Sequence, residues 1–336
     1  MRHLIFAFIS LLVLGACENQ TEVADPPLSA DHDACAKIPR SANAALVPLS
    51  DPDDWYQVYE AGPGVFALVE PYQFQEAISY LIVGSSKALL FDSGIGLVPI
   101  RPVVERLTEL PVEVLNSHTH YDHVGGNYEF ETVLAVDTAY TRANMAGFPH
   151  AELAGEIAPS AFCRGAPAGS DPGSFRTRRW AASRFIQDRE VLDLGNRDIE
   201  ILHVPGHTPD AVALVDWKNG LLWTGDTYYD GGLWLFVPET DLDAYQASMA
   251  RLVEIAATAR HLLPAHNTAR VSPARLKDAA AAVSKMRSGK IEGTVEAGNR
   301  LVFEIDGITI LTAKPVLDGE HVDVSDGGSG LTLWPK

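Results

Sequence analysis

The run His118-Thr119-His120-Tyr121-Asp122-His123 constrains this chain more than any other feature, because it sets four metal-ligating side chains within six residues. It follows the short apolar segment 112–115 and precedes Gly125-Gly126. A regular strand would send His118, His120 and Asp122 to one face and leave His123 on the other. A turn at a strand end is therefore required if all four are to surround cations. Three further candidates stand downstream: His207 in Pro205-Gly206-His207-Thr208, Asp226 in Thr224-Gly225-Asp226-Thr227, and His266 in Pro264-Ala265-His266-Asn267. Each lies just after a predicted strand, where a rigid sheet presents functional groups on loops. The pattern takes five of the eleven histidines. His3, His32, His150, His203, His261 and His321 have no such context and read as surface or packing residues. Imidazoles completed by carboxylates suit Zn²⁺, and Mn or Fe tolerate the same donors.

The periodicity around these motifs alternates between strand and helix. Apolar runs at 78–83 and 88–91 are split by Gly84-Ser85-Ser86, a hairpin signal. Segment 98–110 carries Val103, Leu107 and Leu110 at helical spacing. Strands are predicted at 112–115, 132–136, 198–204, 211–215 and 221–224. Asp241 is placed to cap a long helix bearing Leu242, Tyr245, Met249, Leu252 and Ile255, and Ser272-Pro273 reads as cap-then-proline for another. A closing hairpin is predicted over 301–311, with Asp306-Gly307 at its turn. This mixture points to an α/β domain over 55–315, two sheets covered by helices, followed by a loose tail at 316–336. Segment 141–190 carries few clear elements and is placed to form a rim or lid. Its Arg176, Arg178 and Arg179 either meet an anionic substrate or line a solvated loop.

The start of the chain reads as an export signal. Arg2 and His3 lead an apolar run over 4–14, and Leu14-Gly15-Ala16-Cys17 follows. The run falls short of the roughly 20 apolar residues that span a membrane. Those last four residues resemble a bacterial lipobox, which implies cleavage after residue 16, a lipid anchor at Cys17, and a place in the cell envelope facing the periplasm. Residues 17–54 read as a flexible tether. Cys35 and Cys163 would form one disulfide in an oxidising space or remain two thiols. A formal charge of −18 repels phosphate backbones, so nucleic acid is excluded as a partner.

The succession HxHxDH, PGHT, TGD and PAH, with Phe91-Asp92-Ser93-Gly94 ahead of it, resembles the metallo-β-lactamase superfamily over roughly 60–312. The resemblance implies an αββα sandwich with two zinc ions at one end of its sheets. By motif position, His118, His120 and His207 would hold the first metal, and Asp122, His123 and His266 the second. Asp226 would bridge them, and Asp92 would support the site without touching metal. A hydroxide shared by two metals exists at neutral pH, since metal binding lowers a water's pKa to about 7. Asp122 would orient that hydroxide and shuttle its proton. No Gly-x-Ser-x-Gly nucleophile motif is present.

The β-lactamases of this family usually carry Cys or Ser near the place of Asp226. An Asp there is similar to glyoxalase II, the acyl-homoserine lactonases and the ribonuclease Z group, the last disfavoured by export and acidity. Gly225-Asp226-Thr227-Tyr228-Tyr229-Asp230-Gly231 resembles thioester hydrolases, and lactonases with a Tyr three residues after the bridging Asp. Tyr229 would then donate to a developing oxyanion, or else be a packed aromatic. The implied activity is hydrolysis of a small-molecule carboxylic ester, lactone or thioester. The alternatives are β-lactam hydrolysis, a mononuclear iron persulfide dioxygenase using only His118, His207 and Asp226, and a non-catalytic envelope-binding lipoprotein.

Overall fold

The computed structural model describes residues 35, 38, 40–51, 54–296 and 300–319. The export signal, Cys17, most of the expected tether and 320–336 lie outside the described residues. An eight-stranded sheet runs in chain order through β1 (Val47–Pro48), β2 (Gln57–Gly62), β3 (Val65–Val69), β4 (Ile78–Val83), β5 (Ala88–Phe91), β6 (Val112–Leu115), β7 (Val133–Val136) and β8 (Arg184–Ile186). It is antiparallel up to β5 and parallel from β5 to β8. A second, five-stranded sheet has the order β14 (His261–Pro264), β12 (Leu221–Gly225), β11 (Val212–Asp216), β10 (Asp198–His203), β9 (Val191–Asp193). Beside it β13 (Leu233–Leu235), β17 (Ile308–Ala313), β16 (Arg300–Ile305) and β15 (Thr294–Val295) form a four-stranded sheet.

Burial explains the layering. β5, β11 and β12 are buried along their whole length, as strands covered on both faces must be. Phe91, Leu115 and Tyr80 of the first sheet meet Leu214, Trp223 and Leu263 of the second in one core. On the far side of the second sheet lie the helices Leu242–Ala256 and Ala274–Arg287, through Tyr245, Met249, Leu276 and Val283. The helix Arg101–Leu107 covers the outer face of the first sheet through Val103 and Val104. The order is helix, sheet, sheet, helix, the metallo-β-lactamase fold.

Asp241 caps its helix, accepting from the amides of Asp243 and Ala244. Ser272 makes no such bond, and its helix begins at Ala274. In the closing hairpin Asp306 and Gly307 both have positive φ, 51° and 76°, which a tight turn between twisted strands demands.

One expectation is corrected. Residues 40–51 are not a free tether. Val47 and Pro48 pair with Glu60 and Tyr59, Arg40 forks onto Glu76, and the buried Asn43 bonds Asn267 and Ala269. Cys35 is disulfide-bonded to Cys163. Low apolar content misled the sequence reading, because these attachments are polar and covalent. Segment 141–190, expected as a rim or lid, also contributes to packing: Phe148, Leu153, Ile157, Ala161 and Trp180 are buried in the core outside the first sheet.

Candidate metal centre

Each sequence-predicted ligand leaves a strand at the same end of the sandwich. His118 to His123 follow β6, His207 follows β10, Asp226 follows β12 and His266 follows β14. The stretch Tyr121–Val124 coils into a single helical turn, which turns His123 inward beside His118 and Asp122. Two glycines make the approach possible. Gly206, at φ 137°, would set a Cβ 2.2 Å from the backbone of Tyr245, and Gly225, at φ 52°, would set one 2.6 Å from Ser117 Cβ. Only glycine fits a left-handed backbone at such contact.

All seven residues are brought together, in three overlapping groups: His118, His120 and His207; His118, His123 and Asp226; Asp122, His123 and His266. His120 Nδ1 stands 2.8 Å from His118 Nε2 and 3.2 Å from His207 Nε2. His123 Nε2 and His266 Nε2 are 3.3 Å apart, with Asp122 Oδ2 at 3.5 and 3.7 Å from them. Asp226 spans the two lobes. Its Oδ2 faces His207 and His118 at 3.6 and 4.0 Å, and its Oδ1 faces His266 and His123 at 3.1 and 3.6 Å.

The outer nitrogens decide what the inner ones offer. His207 Nδ1 bonds the Trp234 carbonyl at 2.8 Å and His266 Nδ1 the Gln75 carbonyl at 2.7 Å. His123 Nδ1 meets Asp92 Oδ2 at 3.0 Å, and His120 Nε2 meets Glu239 Oε1 at 2.9 Å. Carbonyl and carboxylate oxygens only accept, so each of these rings carries its proton outward. The inward nitrogens of neutral rings are lone pairs, and lone pairs facing each other at about 3 Å repel unless a cation lies between them. The donor set therefore fits a divalent metal in each lobe, with the outward bonds that orient metal-ligating histidines already made.

The electrostatics divide the rings: burial keeps the proton off His118 and His207, while nearby carboxylates favour it on His120, His123 and His266, where a bound metal would take its place. Burial, helped by the neighbouring His123 and His120, holds the His118 pKa well below its usual value. Burial likewise takes His207 down to about 3 despite Asp226. Burial would lower His123 too, but Asp122, Asp92 and Asp226 outweigh it and raise it to about 10. For Asp226 burial is outweighed by His266 and His123, and its carboxyl falls below the usual range. A cation entering the second lobe must displace a proton from His123, which couples metal uptake to pH.

Asp92 supports the site without joining the ligand cluster. At φ 66° its backbone is strained, and the carboxylate accepts from the Ser117 amide at 2.6 Å while holding His123. Sequence reasoning missed Glu239, which also accepts from the Tyr140 hydroxyl at 2.7 Å. It also missed Asp210, which ties Thr119 and Thr141 to Thr208 and so joins the first motif to the His207 loop. Asp210 sits three residues after His207, a spacing open to notice. Glu239 has no motif, and the carbonyls of Trp234 and Gln75 leave no sequence signal at all.

Tyr229 is placed differently from the oxyanion-donor expectation. Its ring lies 5.0 Å from that of His266, but its hydroxyl donates to the Gly232 carbonyl at 2.5 Å and accepts from the Trp234 amide at 3.1 Å. A phenol has one proton, and here it is spent on the turn that carries Trp234. Arg178 lies over the Tyr128 ring, Arg176 and Arg179 are exposed, and none of the three joins the cluster. His150 and His203 bond the main-chain carbonyls of Phe175 and Pro209, as packing residues.

A buried His/Asp cluster in two lobes, at the strand ends of an αββα sandwich, defines a metal-dependent hydrolase. The chain belongs to the metallo-beta-lactamase superfamily, whose family model matches residues 77–292. It is similar to the acyl-coenzyme A thioesterase MBLAC2 of Homo sapiens, 28% identical over 229 residues, covering 63% of this chain and 81% of that protein. It is also similar to hydroxyacylglutathione hydrolase of Aeromonas hydrophila, 28% identical over 185 residues, covering 54% of this chain and 58% of that one. Among solved structures, a metallo-beta-lactamase from Pontibacter korlensis shares the fold, with a TM-score of 0.52 at 16% identity over 68% of this chain and 99% of that one.

Proposed function

We propose that this chain hydrolyses acyl thioesters, with carboxylic esters and lactones as chemically neighbouring substrates, using two zinc ions. The division of the Asp226 carboxylate between two histidine lobes carries the reading. The similarity to an acyl-coenzyme A thioesterase and a hydroxyacylglutathione hydrolase supports the substrate class. His118, His120 and His207 would hold one zinc, Asp122, His123 and His266 the other, and Asp226 would touch both. Zinc bound there supplies a Lewis acid for the carbonyl and a water acidic enough to attack at neutral pH.

The chain's own residues do the rest. Burial of the cluster excludes bulk water and strengthens each charge contact. Asp122, beside His123 and His266, is the base that takes the proton of the attacking water and returns it to the departing sulfur. The C–S bond breaks as the new C–O bond forms, releasing a carboxylic acid and a thiol. Elemental analysis of the purified chain should find two zinc ions, and a panel of thioesters, lactones, phosphodiesters and β-lactams should show thioester turnover. A single iron, or turnover of β-lactams alone, would overturn the proposal.

Export and lipid anchoring at Cys17 complete it. The Cys35–Cys163 disulfide supports an oxidising compartment. Cys17→Ser should move the protein from the membrane fraction to the soluble one, and a variant that stays membrane-bound would refute the anchor.

A further inference from the structure

The second metal lobe depends on a main-chain atom, the Gln75 carbonyl that accepts from His266 Nδ1 at 2.7 Å. Three stretches of chain lie side by side around that bond. Residues 265–267 meet 76–78 through the Ile78 amide on the Ala265 carbonyl at 2.7 Å and the Asn267 amide on the Glu76 carbonyl at 3.1 Å. Residues 72–74 meet 161–163 through the Phe74 amide on the Ala161 carbonyl and the Cys163 amide on the Tyr72 carbonyl, both at 2.9 Å. The loop carrying the Gln75 carbonyl is thus gripped from both sides.

Three residues of the N-terminal segment tie these stretches together. Cys35 is bonded to Cys163, Arg40 forks onto Glu76 at 2.7 and 2.5 Å, and Asn43 donates to the Asn267 carbonyl at 2.9 Å and accepts from the Ala269 amide at 2.8 Å. All three precede residues 77–292, the part matched by the family model, and none belongs to a metal motif. The tie bears on strained backbone. Glu76 and Asn267 flank the bond between Gln75 and His266, and both have positive φ, 45° and 66°. Such a conformation is unfavourable for a glutamate and persists only where its surroundings over-determine it. Here the buried Glu76 carboxylate is held by Arg40. The disulfide joins residues 128 apart, and a cross-link closing so long a loop strongly restricts the chain it ties down. Cys35 is exposed and Cys163 half-buried, so reagents reach the bond.

We infer that Cys35, Arg40 and Asn43 are positioning residues for the second metal lobe, and that the Cys35–Cys163 bond makes occupancy of that lobe depend on oxidation. The inference rests on the two-zinc reading. Reduction by a dithiol breaks the Sγ–Sγ bond, adds two electrons and two protons to give two thiols, and leaves the dithiol as its own disulfide. The freed segment then holds Glu76 and Asn267 less firmly, the Gln75 carbonyl moves off His266, and a ring without its outer acceptor binds metal more weakly. The first lobe is held from another loop, by the Trp234 carbonyl and Glu239, and keeps its metal.

Zinc affinities of the full chain are read by competition with a chromophoric chelator. The double variant Cys35→Ser, Cys163→Ser should bind one zinc equivalent about 10–100-fold more weakly, the cost of a lost outer partner, and the other nearly as wild type does. Arg40→Ala should weaken the same equivalent with the disulfide intact. In a His266→Ala background neither change should weaken the remaining equivalent further, because the ring they position is gone. Weakening of both equivalents alike, or of the remaining one in that background, is what a generally loosened domain produces and overturns the inference. So do two equivalents bound at wild-type affinity by the variants.

Hydrogen exchange of the zinc-free chain gives a readout without metal. The Ile78 and Asn267 amides should lose protection in the double variant while those of β5 and β11 keep theirs, and unchanged exchange at Ile78 and Asn267 would overturn the inference. Should the double variant not fold, folded wild type is reduced with a water-soluble phosphine, which takes oxygen from water and ends as its oxide. The two thiols are alkylated and the reagents removed before the same titrations. A wild-type chain that takes up a single ion sinks the two-zinc reading and this inference with it. Two ions held with the same affinities by wild type and variants sink the positioning role alone.

Discussion

Glu239 offers the sharpest test of how the first lobe is held. Its Oε1 accepts from His120 Nε2 at 2.9 Å and from the Tyr140 hydroxyl at 2.7 Å, and its side chain is buried. The neighbouring residues act on the same lobe: Thr240 donates to the His207 carbonyl at 3.3 Å and the Asp241 amide to the Gly206 carbonyl at 2.8 Å. Glu239 thus fixes the His120 tautomer that presents Nδ1 inward, alone among rings that otherwise present Nε2. Glu239→Ala frees the ring to rotate and removes the carboxylate that makes Nδ1 more basic. Loss of such an outer partner weakens metal binding by about 10–100-fold, which is roughly 1.4–2.7 kcal/mol. Competition with a chromophoric chelator should show one zinc equivalent weakened by that factor and the other nearly unchanged. Co²⁺ substitution should show an altered visible spectrum for the first site. Glu239→Gln, which keeps an acceptor oxygen, should recover part of the loss, and Tyr140→Phe should leave most of the affinity intact. Two equivalents bound at wild-type affinity with a wild-type Co²⁺ spectrum in the Ala variant would refute the reasoning.

Tyr229→Phe separates two roles by stability. Deleting the hydroxyl takes this partner from the part-buried Trp234 amide and Gly232 carbonyl, so stability should fall by about 1–3 kcal/mol, read as a lower Tm. A drop in kcat of about 10²–10³ with unchanged Tm would restore the oxyanion role. Glu70 carries a pH signature. Burial, against the Trp55 and Ile95 N–H donors, raises its carboxyl from 4.5 to about 7. Between those values the folded chain binds a proton that the unfolded chain has lost, so stability present below about pH 4.5 is lost as pH rises through about 7. The full difference is about 3 kcal/mol. Urea unfolding of wild type and Glu70→Gln should show the variant gaining on wild type from pH 5 to pH 8. A gap that does not change with pH would remove Glu70 from the account.

What the sequence determined is local and periodic. Short apolar runs specified β4, β5 and β6 to the residue, Asp241 marked its helix, and Asp306-Gly307 marked the last hairpin, because each depends on neighbours a few residues away. The seven His and Asp residues were legible for a related reason. Ligand atoms need rigid strand ends and close-turning glycines, and both leave short motifs. The tertiary structure alone decided which other groups hold those side chains. Glu239 lies 119 residues from His120, and the Gln75 carbonyl 191 residues from His266. Neither spacing carries a period, and a main-chain carbonyl is the same atom at every position. The packing of 40–51 was hidden too, since Asn43 reaches Asn267 across 224 residues with no apolar stripe to announce it. The Tyr229 hydroxyl shows the limit most plainly. Its place three residues after Asp226 is written in the chain, but the direction of its proton follows from the Gly232 turn, which exists only when β13 docks beside β17.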